Sequence, residues 1–462
     1  MSILYNLDIL VIFGYLLLTL SIGVISSKVS SSFKDFSYVP ASLRKNKFIL
    51  AATVFATAVG GGTTFGLTEK VFSENLSYVY ALILTTPVDI LIAFFVIPKI
   101  ASYYDAISVG DIMAVEYGST GRIISGIMVV FTSVGFLSAQ ISVSGYLLSN
   151  MFDIDYLMSI IISYSILILY TSLGGLRSVI TNNSWQFLTM IIAIPMLTLF
   201  GLKKIGLNNF IDHVPLSKYS LSDNKLMWDT IWMTLSFSVM GCYPTLIQRA
   251  LLNKNSTYMT HAMIIKTVIY IFFIICIAVN GLIAMQVSTE LGSNMALQDT
   301  IHKIIPVGLR GLVIIGFLSA AMSTADTDLN VASVSVAQDI FKPIFGIIES
   351  TRLSLIARTT SMIIGSASIF ISASFESIVD IILHVAGLWA PTILVPFIAT
   401  IFGIYISKRG LVIGIISGIM GCLMWQYFYG DIQMLRGVFI GTIIHLFVFI
   451  INYYVENVGR RR

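Results

Sequence analysis

The sequence predicts an all-α polytopic membrane protein with about thirteen transmembrane helices. Of its 462 residues, 56% are hydrophobic and only 11% are charged, and the mean hydropathy is +0.90. Soluble domains do not have this composition. Apolar runs of roughly 20 residues, the length that crosses a bilayer as a helix, recur along the whole chain. The three cysteines lie in such runs without metal-ligand spacing, which predicts inert core residues.

The predicted spans follow one another with short connections. The first has no basic residue before it and is too long for the apolar part of a signal peptide, so we expect it to be retained. The thirteen spans are expected near residues 7–27, 48–71, 77–100, 122–149, 156–174, 182–202, 228–249, 262–287, 308–337, 354–374, 376–402, 411–429 and 435–454.

The placement of Lys and Arg predicts the orientation of these spans. If the N-terminus faces out, the inner loops and helix ends hold 19 of the 27 basic residues. We therefore expect a multi-pass protein of the cell membrane with its N-terminus outside and its C-terminus in the cytoplasm. The isoleucine-rich composition favours a bacterial inner membrane. Because the basic residues are scattered, the sequence argues against a nucleic-acid partner, and no obligatory protein partner is evident.

Two spans are interrupted. The second contains the consecutive glycines Gly60, Gly61 and Gly62, each of which weakens a helix by roughly 1 kcal/mol relative to alanine. A break at this depth persists where freed carbonyls face a cavity or an ion, although close packing of small residues is an alternative. The seventh span carries Tyr243 followed by Pro244, which predicts a break or a simple kink.

The two interruptions lie five spans apart, a pattern typical of inverted-repeat transporters with a midplane site. Because five is an odd number, the second copy starts from the opposite side of the membrane. The predicted organisation is a leading helix and cytoplasmic loop (1–47), a first repeat (48–203), an outer connection (204–227), a second repeat (228–402), and two trailing helices with a cytoplasmic tail (403–462).

The ninth span carries polar residues at membrane depth, where they usually face the protein interior or a water-filled path. At 100° per residue, Ala320, Ser323, Thr324 and Thr327 fall on one narrow stripe. Hydroxyl and carbonyl oxygens suit a hard cation such as Na⁺ and suit soft metals poorly. Bonding of the hydroxyls to preceding carbonyls of the same helix is the structural alternative.

Four segments carry a resemblance to a known family. They read ATAVGGGTTFG (56–66), YTSLGGLRSVITNNSWQ (170–186), IQRALL (247–252) and SAAMSTADTDLNVAS (319–333). With Asp8 and Tyr15 in the first span, they resemble the sodium/solute symporter family, which includes carriers of sugars, proline, choline, pantothenate and sialic acid. The resemblance covers essentially the whole chain. It implies a LeuT-type core of five plus five helices, with one leading and two trailing helices.

The resemblance also implies an activity and a cation site. The expected activity is sodium-coupled import of a small organic solute by alternating access, with Na⁺ as the coupling ion. The implied sodium ligands are the carbonyls of Ala56, Val59 and Ala320 and the hydroxyls of Ser323 and Thr324.

Some members of the family have a second sodium site that needs an aspartate in the fifth core helix. The matching residue here is Asn183, and the serine pair that would face it reads Asp326-Thr327. Because the carboxylate is absent, we expect one Na⁺ per cycle. Asp326 either supplies the missing charge or makes a contact near a cytoplasmic helix end.

The solute is expected at the midplane between the two interrupted helices. The candidate contacts are Gly60, Gly61, Thr63, Gln140, Tyr243 and His384. Gln140 is equally consistent with a hydrogen bond between helices, and His384 with a structural role or with proton transfer. Asp89 pairs across helices or touches the solute. The expected solute class is a small zwitterion, an organic cation or a carboxylate.

Three other functions compete with this interpretation. A proton-coupled carrier on the same fold would use Asp89, Asp326 or His384 for the proton, whereas a membrane sensor or a channel would show no coupled uptake. The sequence shows no nucleophile–base set, phosphate-binding loop or clustered metal ligands, so we do not expect an enzyme.

Overall fold

The computed structural model describes residues 2–28, 32–152, 154–219, 224–288, 292, 295–374, 386–430 and 434–460, and every regular element in these ranges is a helix. The long elements are α1 (Ser2–Ser27), α2 (Lys47–Ala58 continued by Gly62–Ser73), α3 (Ser77–Ala101), α4 (Val109–Phe152), α5 (Tyr156–Ile205), α6 (Leu226–Met240 continued by Pro244–Ala250), α7 (Ser256–Val287), α8 (Arg310–Phe345), α9 (Ser350–Ser374), α10 (Ala390–Ile401), α11 (Lys408–Tyr429) and α12 (Met434–Arg460). The short helices are Phe33–Ser37, Ala41–Arg44, Leu207–Asp212, Leu216–Tyr219, Ala296–Ile304 and the 3₁₀ turn Ala386–Leu388.

The membrane class is as predicted, but the count of thirteen spans is not confirmed. Within the described ranges, nine helices are long and apolar enough to cross a membrane, or eleven spans if α2 and α6 each count as one. The spans expected near 156–174 and 182–202 are the two helical segments of α5, which meet at the non-helical residue Gly175. Of the span expected near 376–402, residues 376–385 lie outside the described residues, and α10 is its second half. The division into two repeats stays a prediction.

The bend in α5 depends on glycine. Gly175 has φ 57° and ψ −152°, a conformation that is essentially restricted to residues without a Cβ atom. A Cβ atom built on Gly175 would lie 2.5 Å from the carbonyl oxygen of Phe36. The bend therefore lets the short helix Phe33–Ser37 pack directly against α5.

The central element of the molecule is α8. In its apolar stretch of 18 residues, 94% of the residues are buried. The helix packs against α4, α5 and α1. The carboxylate of Asp8 on α1 accepts hydrogen bonds from the backbone N–H groups of Gly308 (3.0 Å) and Gly311 (2.8 Å). These donors at the start of α8 have no partner within the helix. Ser319 donates to the Tyr15 hydroxyl at 3.1 Å. α1 therefore contacts α8 at two points along its length, at its first turn and at Ser319.

Two of the basic residues counted on the inner side are buried inside the protein. The exposed fraction of Arg249 is 1% and that of Lys266 is 6%. Arg249 lies in the last turn of its helix, as expected, and Lys266 lies within α7. Because both are enclosed by the protein, neither marks the membrane surface, and composition rules do not separate the two kinds of charge. Without them the inner side still holds 17 basic residues against 8 outside. The orientation stays a prediction.

We predict that Gly175→Ala destabilises the protein by about 1–3 kcal/mol, because alanine pays a backbone penalty at this φ and ψ and its Cβ meets Phe36. Thermal unfolding of the purified protein in detergent measures the effect as a lower Tm. Gly14→Ala is the matched control, since no atom lies within 4 Å of its added Cβ. Equal Tm values for the two variants would contradict this account of the bend.

Candidate cation and solute site

α2 is interrupted where the sequence places three glycines. Its two halves meet at 62°, and Val59 at the end of the first half has a non-helical backbone (φ −104°, ψ 90°). A Cβ atom built on Gly60 would lie 2.8 Å from Thr324 Oγ1 and 3.0 Å from Gln140 Oε1. The helix break and the close packing of small residues, two alternatives at the level of sequence, therefore occur together.

The break brings carbonyl groups of α2 against two hydroxyls of α8. Ser323 Oγ donates to the Ala56 carbonyl at 2.8 Å and lies 3.1 Å from the Ala320 carbonyl oxygen. Thr324 Oγ1 lies 3.5 Å from the carbonyl oxygens of both Ala56 and Thr57, and 3.4 Å from that of Ala320. The hydroxyls thus bond within α8 and also contact α2. We call these five oxygens the cation cluster.

The chemistry of the cation cluster fits a sodium ion. Its oxygens are neutral, and hard cations prefer oxygen ligands. The helices that carry them are buried here, with Ala56, Ala320 and Ser323 fully buried and Thr324 7% exposed. In the described part of the chain, no group of three or more His, Cys, Asp or Glu side chains is placed to hold a metal ion. Val59 is buried beside the cluster, and its carbonyl as a ligand stays a prediction.

A cavity of about 330 Å³ begins at the break of α2, and we call it the solute cavity. Its size is typical of sites for small organic molecules. The predicted solute contacts Gly60, Thr63 and Gln140 lie on its wall. Gly61 does not line the cavity. Its backbone N–H instead donates to Gln140 Oε1 at 2.6 Å. Gln140 therefore joins α4 to the broken helix and also borders the cavity.

Tyr243 lies on the same wall, at the break of α6, whose halves are bent by 45°. Its hydroxyl donates to Asp328 Oδ1 at 3.1 Å, and its ring packs edge-on against Phe136 with centroids 4.7 Å apart. The Cys242 carbonyl accepts a hydrogen bond from Trp389 Nε1 at 2.8 Å. Trp389 immediately precedes α10. Its side chain thus provides the hydrogen bond that a carbonyl at the break of α6 needs, so this interruption is more than a simple proline kink.

The region predicted for a second ion contains an arginine. Asn183 Nδ2 donates to Thr53 Oγ1 (3.1 Å) and to Thr327 Oγ1 (3.3 Å). The Arg249 guanidinium donates to the same two oxygens, with Nη2 3.0 Å from Thr327 and Nε 3.3 Å from Thr53. A positive charge of the protein itself therefore occupies the neighbourhood of Asn183. The sequence signal for it was present, since Arg249 ends the predicted seventh span.

Asp326 is not at a helix end. It is fully buried, and its carboxylate accepts hydrogen bonds from Tyr170 Oη at 2.8 Å and from Thr327 Oγ1 at 3.3 Å. Asp326 itself is far from the end of α8, which continues for almost twenty residues to Phe345. Its partner Tyr170 lies five residues before the bend of α5 at Gly175, and the expected contact near a cytoplasmic helix end stays a prediction. The Asp326 carboxyl is close enough to Arg249 to interact with it electrostatically.

The partner of Asp89 is Lys266 on α7, with Nζ 2.5 Å from Oδ2, and both residues border the solute cavity. Sequence reasoning assigned no role to Lys266, although a lone lysine inside an apolar span is itself a signal. The remaining predicted contact, His384, lies outside the described residues.

Comparison with known proteins identifies the family. The model of the sodium:solute symporter family matches residues 38–418. The chain belongs to this family. The symporter is 22% identical to sodium/glucose cotransporter 4 of Danio rerio, over 92% of this chain and 72% of that protein. It is 23% identical to sodium/proline symporter 2 of Staphylococcus saprophyticus, over 82% of this chain and 78% of that protein.

A solved structure of another symporter shares this fold. A solved structure of a Na⁺-coupled sialic acid symporter, in a substrate-bound outward-open state, matches with a TM-score of 0.83. The sequence identity is 18%, over 97% of this chain and 98% of that chain. The likeness confirms the predicted LeuT-type fold. Family membership confirms the predicted class of sodium-coupled symporter and Na⁺ as its coupling ion.

We predict that Ser323→Ala combined with Thr324→Ala weakens Na⁺ binding to the symporter at least about 100-fold, because contacts to a charged group contribute about 1.5–3 kcal/mol each. The increase in Tm with Na⁺ concentration, measured in choline-balanced buffer, reports this affinity. Ser333→Ala is the control, since Ser333 is a buried serine of α8 whose hydroxyl bonds to the Asn330 carbonyl. Unchanged Na⁺ stabilisation in the double variant would exclude the cation cluster.

Proposed function

We propose that the symporter imports a small organic solute across the cell membrane with one Na⁺ per cycle, by alternating access. The observation that carries the proposal is the contact between Ser323 Oγ and the Ala56 carbonyl at 2.8 Å. It joins the unwound point of α2 to the hydroxyl-bearing face of α8, where neutral oxygens converge. An ion held there contacts both helices at once.

The shape of the solute cavity supports an outward-facing state. From the break of α2 the cavity reaches Lys70 and Tyr78, next to the connection between α2 and α3. The distribution of basic residues predicts that this connection lies on the outside. At the opposite end α4 and α8 are tightly packed, since a Cβ atom on Gly110 would lie 2.4 Å from the Asp339 carboxylate. Ser108 Oγ donates to Asp339 at 2.6 Å.

Coupling of ion and solute follows from their shared helix. Ala56 and Thr57 contribute carbonyls to the cation cluster, while Gly60 and Thr63 of the same break form the cavity wall. An ion that fixes the carbonyls therefore also fixes the wall that the solute contacts. By thermodynamic linkage, the solute then increases the affinity for Na⁺ by the same factor.

The position of Arg249 supports a single sodium ion. Its guanidinium donates to Thr53 and Thr327, the hydroxyls that also surround Asn183. A second cation at this point would meet the charge of the guanidinium and would lack a carboxylate at position 183. The Arg249 guanidinium thus provides a fixed positive charge in the region predicted for a second ion.

One ion supplies enough energy for nutrient uptake. A single charge moving through about 100 mV releases about 2.3 kcal/mol, and a tenfold sodium gradient adds about 1.4 kcal/mol. The sum permits roughly 500-fold accumulation of the solute.

Uptake into proteoliposomes tests the proposal against a proton-coupled carrier. A defined mixture of amino acids, betaines, carboxylates, amines and sugars is offered at fixed pH, with an inward gradient of Na⁺ or of choline. Mass spectrometry of the lumen identifies what is accumulated. We expect accumulation with Na⁺ alone. Accumulation that follows an imposed pH gradient and ignores Na⁺ would favour a proton carried by a buried carboxylate such as Asp326.

We predict a Hill coefficient of about 1 for Na⁺ activation of uptake, because one cation cluster serves one ion. Asn183→Asp alone is expected to keep this value, since the new carboxylate would pair with the guanidinium of Arg249. Asn183→Asp combined with Arg249→Gln is expected to raise the coefficient towards 2, because the carboxylate is then free to bind a cation. A coefficient of 2 in the unmodified protein would contradict the one-ion proposal.

A further inference from the structure

An ion pair lies on the wall of the solute cavity at membrane depth. Asp89 on α3 and Lys266 on α7 are joined at 2.5 Å, and their side chains are only 15% and 7% exposed. The pair Lys303–Asp299 at the protein surface, by comparison, has exposed fractions of 47% and 20%. A buried ion pair contributes little to stability compared with well-packed apolar residues. An ionisable pair inside a membrane protein is by default a functional feature.

The remaining charges on the wall are engaged elsewhere. Of the described wall residues, four are charged: Lys70, Asp89, Arg249 and Lys266. Lys70 pairs with Glu74 at 2.6 Å and is 26% exposed, so it belongs to the cavity mouth. Arg249 donates to the hydroxyls of α2 and α8. The wall therefore offers the solute one positive and one negative group side by side.

The wall of the solute cavity is mostly apolar or aromatic. Lys266 Nζ lies 4.9 Å from the ring centroid of Tyr270, and Leu82, Phe237 and Met240 also border the cavity. An ammonium group has three donors, and Asp89 uses one of them. In surroundings of low polarity the electrostatic interaction between charges is strong, and a charge without a partner is costly.

We infer that the transported solute is a zwitterion, whose carboxylate binds Lys266 and whose cationic nitrogen binds Asp89. Each protein charge exchanges its present partner for the opposite charge of the solute, so the wall and its occupant stay neutral together. A solute with a single charge would leave either Asp89 or Lys266 uncompensated. The inference rests on the proposed function, since it assigns the solute class of the same cavity.

The proteoliposome mixture described above tests this inference independently of sodium coupling. We expect the accumulated compounds to be amino acids or betaines. If only singly charged or neutral solutes accumulate with Na⁺, the inference is wrong and the proposed function stands. If a zwitterion accumulates without a need for Na⁺, the inference stands and sodium coupling fails. Accumulation of no zwitterion at all overturns the inference.

A matched set of competitors tests the two charges separately in the unmodified protein. The set comprises the zwitterion identified, the carboxylate that lacks its amine, and the amine that lacks its carboxylate. Both singly charged analogues are expected to inhibit at least about 30-fold more weakly, because each leaves a buried charge without a partner. Equal inhibition by either analogue would overturn the inference.

Two variants separate recognition from a structural role of the pair. Asp89→Asn leaves the lysine alone and is expected to shift preference towards the carboxylate analogue. Lys266→Gln leaves the aspartate alone and is expected to shift preference towards the amine. Lys303→Gln, which removes a surface pair, is the control. A purely structural pair would lower the uptake of all three compounds alike, and that result would contradict the assignment.

Discussion

The structure depends on one constraint: backbone carbonyls freed inside a membrane must find partners in the protein. The first half of α2 ends at Ala58, just before the three glycines, and the interior of a membrane has no water to hydrogen-bond the Ala56 carbonyl. Ser323 on α8 supplies the partner at 2.8 Å. For this reason α8 must be buried almost completely and held at a fixed height, which the contacts of Asp8 with its first turn achieve.

The two segments that meet in the cation cluster were recognisable in the sequence because their signals are local. Consecutive glycines at membrane depth mark a break, and the helical spacing of Ser323 and Thr324 marks one face. That the two segments meet was implied by the resemblance to the sodium/solute symporter family and by no local pattern. The structure brings them together as expected and adds the carbonyl of Thr57, whose approach depends on the bend angle between the two halves of α2.

The charged residues of the interior could not be assigned in the same way. Asp89 and Lys266 are 177 positions apart, and each appeared alone in an apolar span. Rules based on loop composition counted Lys266 and Arg249 among the charges of the inner loops and helix ends, because such rules do not distinguish enclosed charges from exposed ones. The number of spans stays a prediction for a related reason, since the two helices expected near 156–174 and 182–202 meet directly at the bend of Gly175 without a loop.

The buried charged groups around α8 connect the region predicted for a second ion to the rest of the interior. Asp326 and Asp328 are fully buried, and Arg249 is close enough to interact electrostatically with both. A charge enclosed in this interior is costly unless it has a partner. The Arg249 guanidinium supplies the positive charge from the protein itself at the place where a second sodium ion would have supplied it. For this reason we propose that the cation cluster alone serves the ion, and that the network around Arg249 has a structural role beside it.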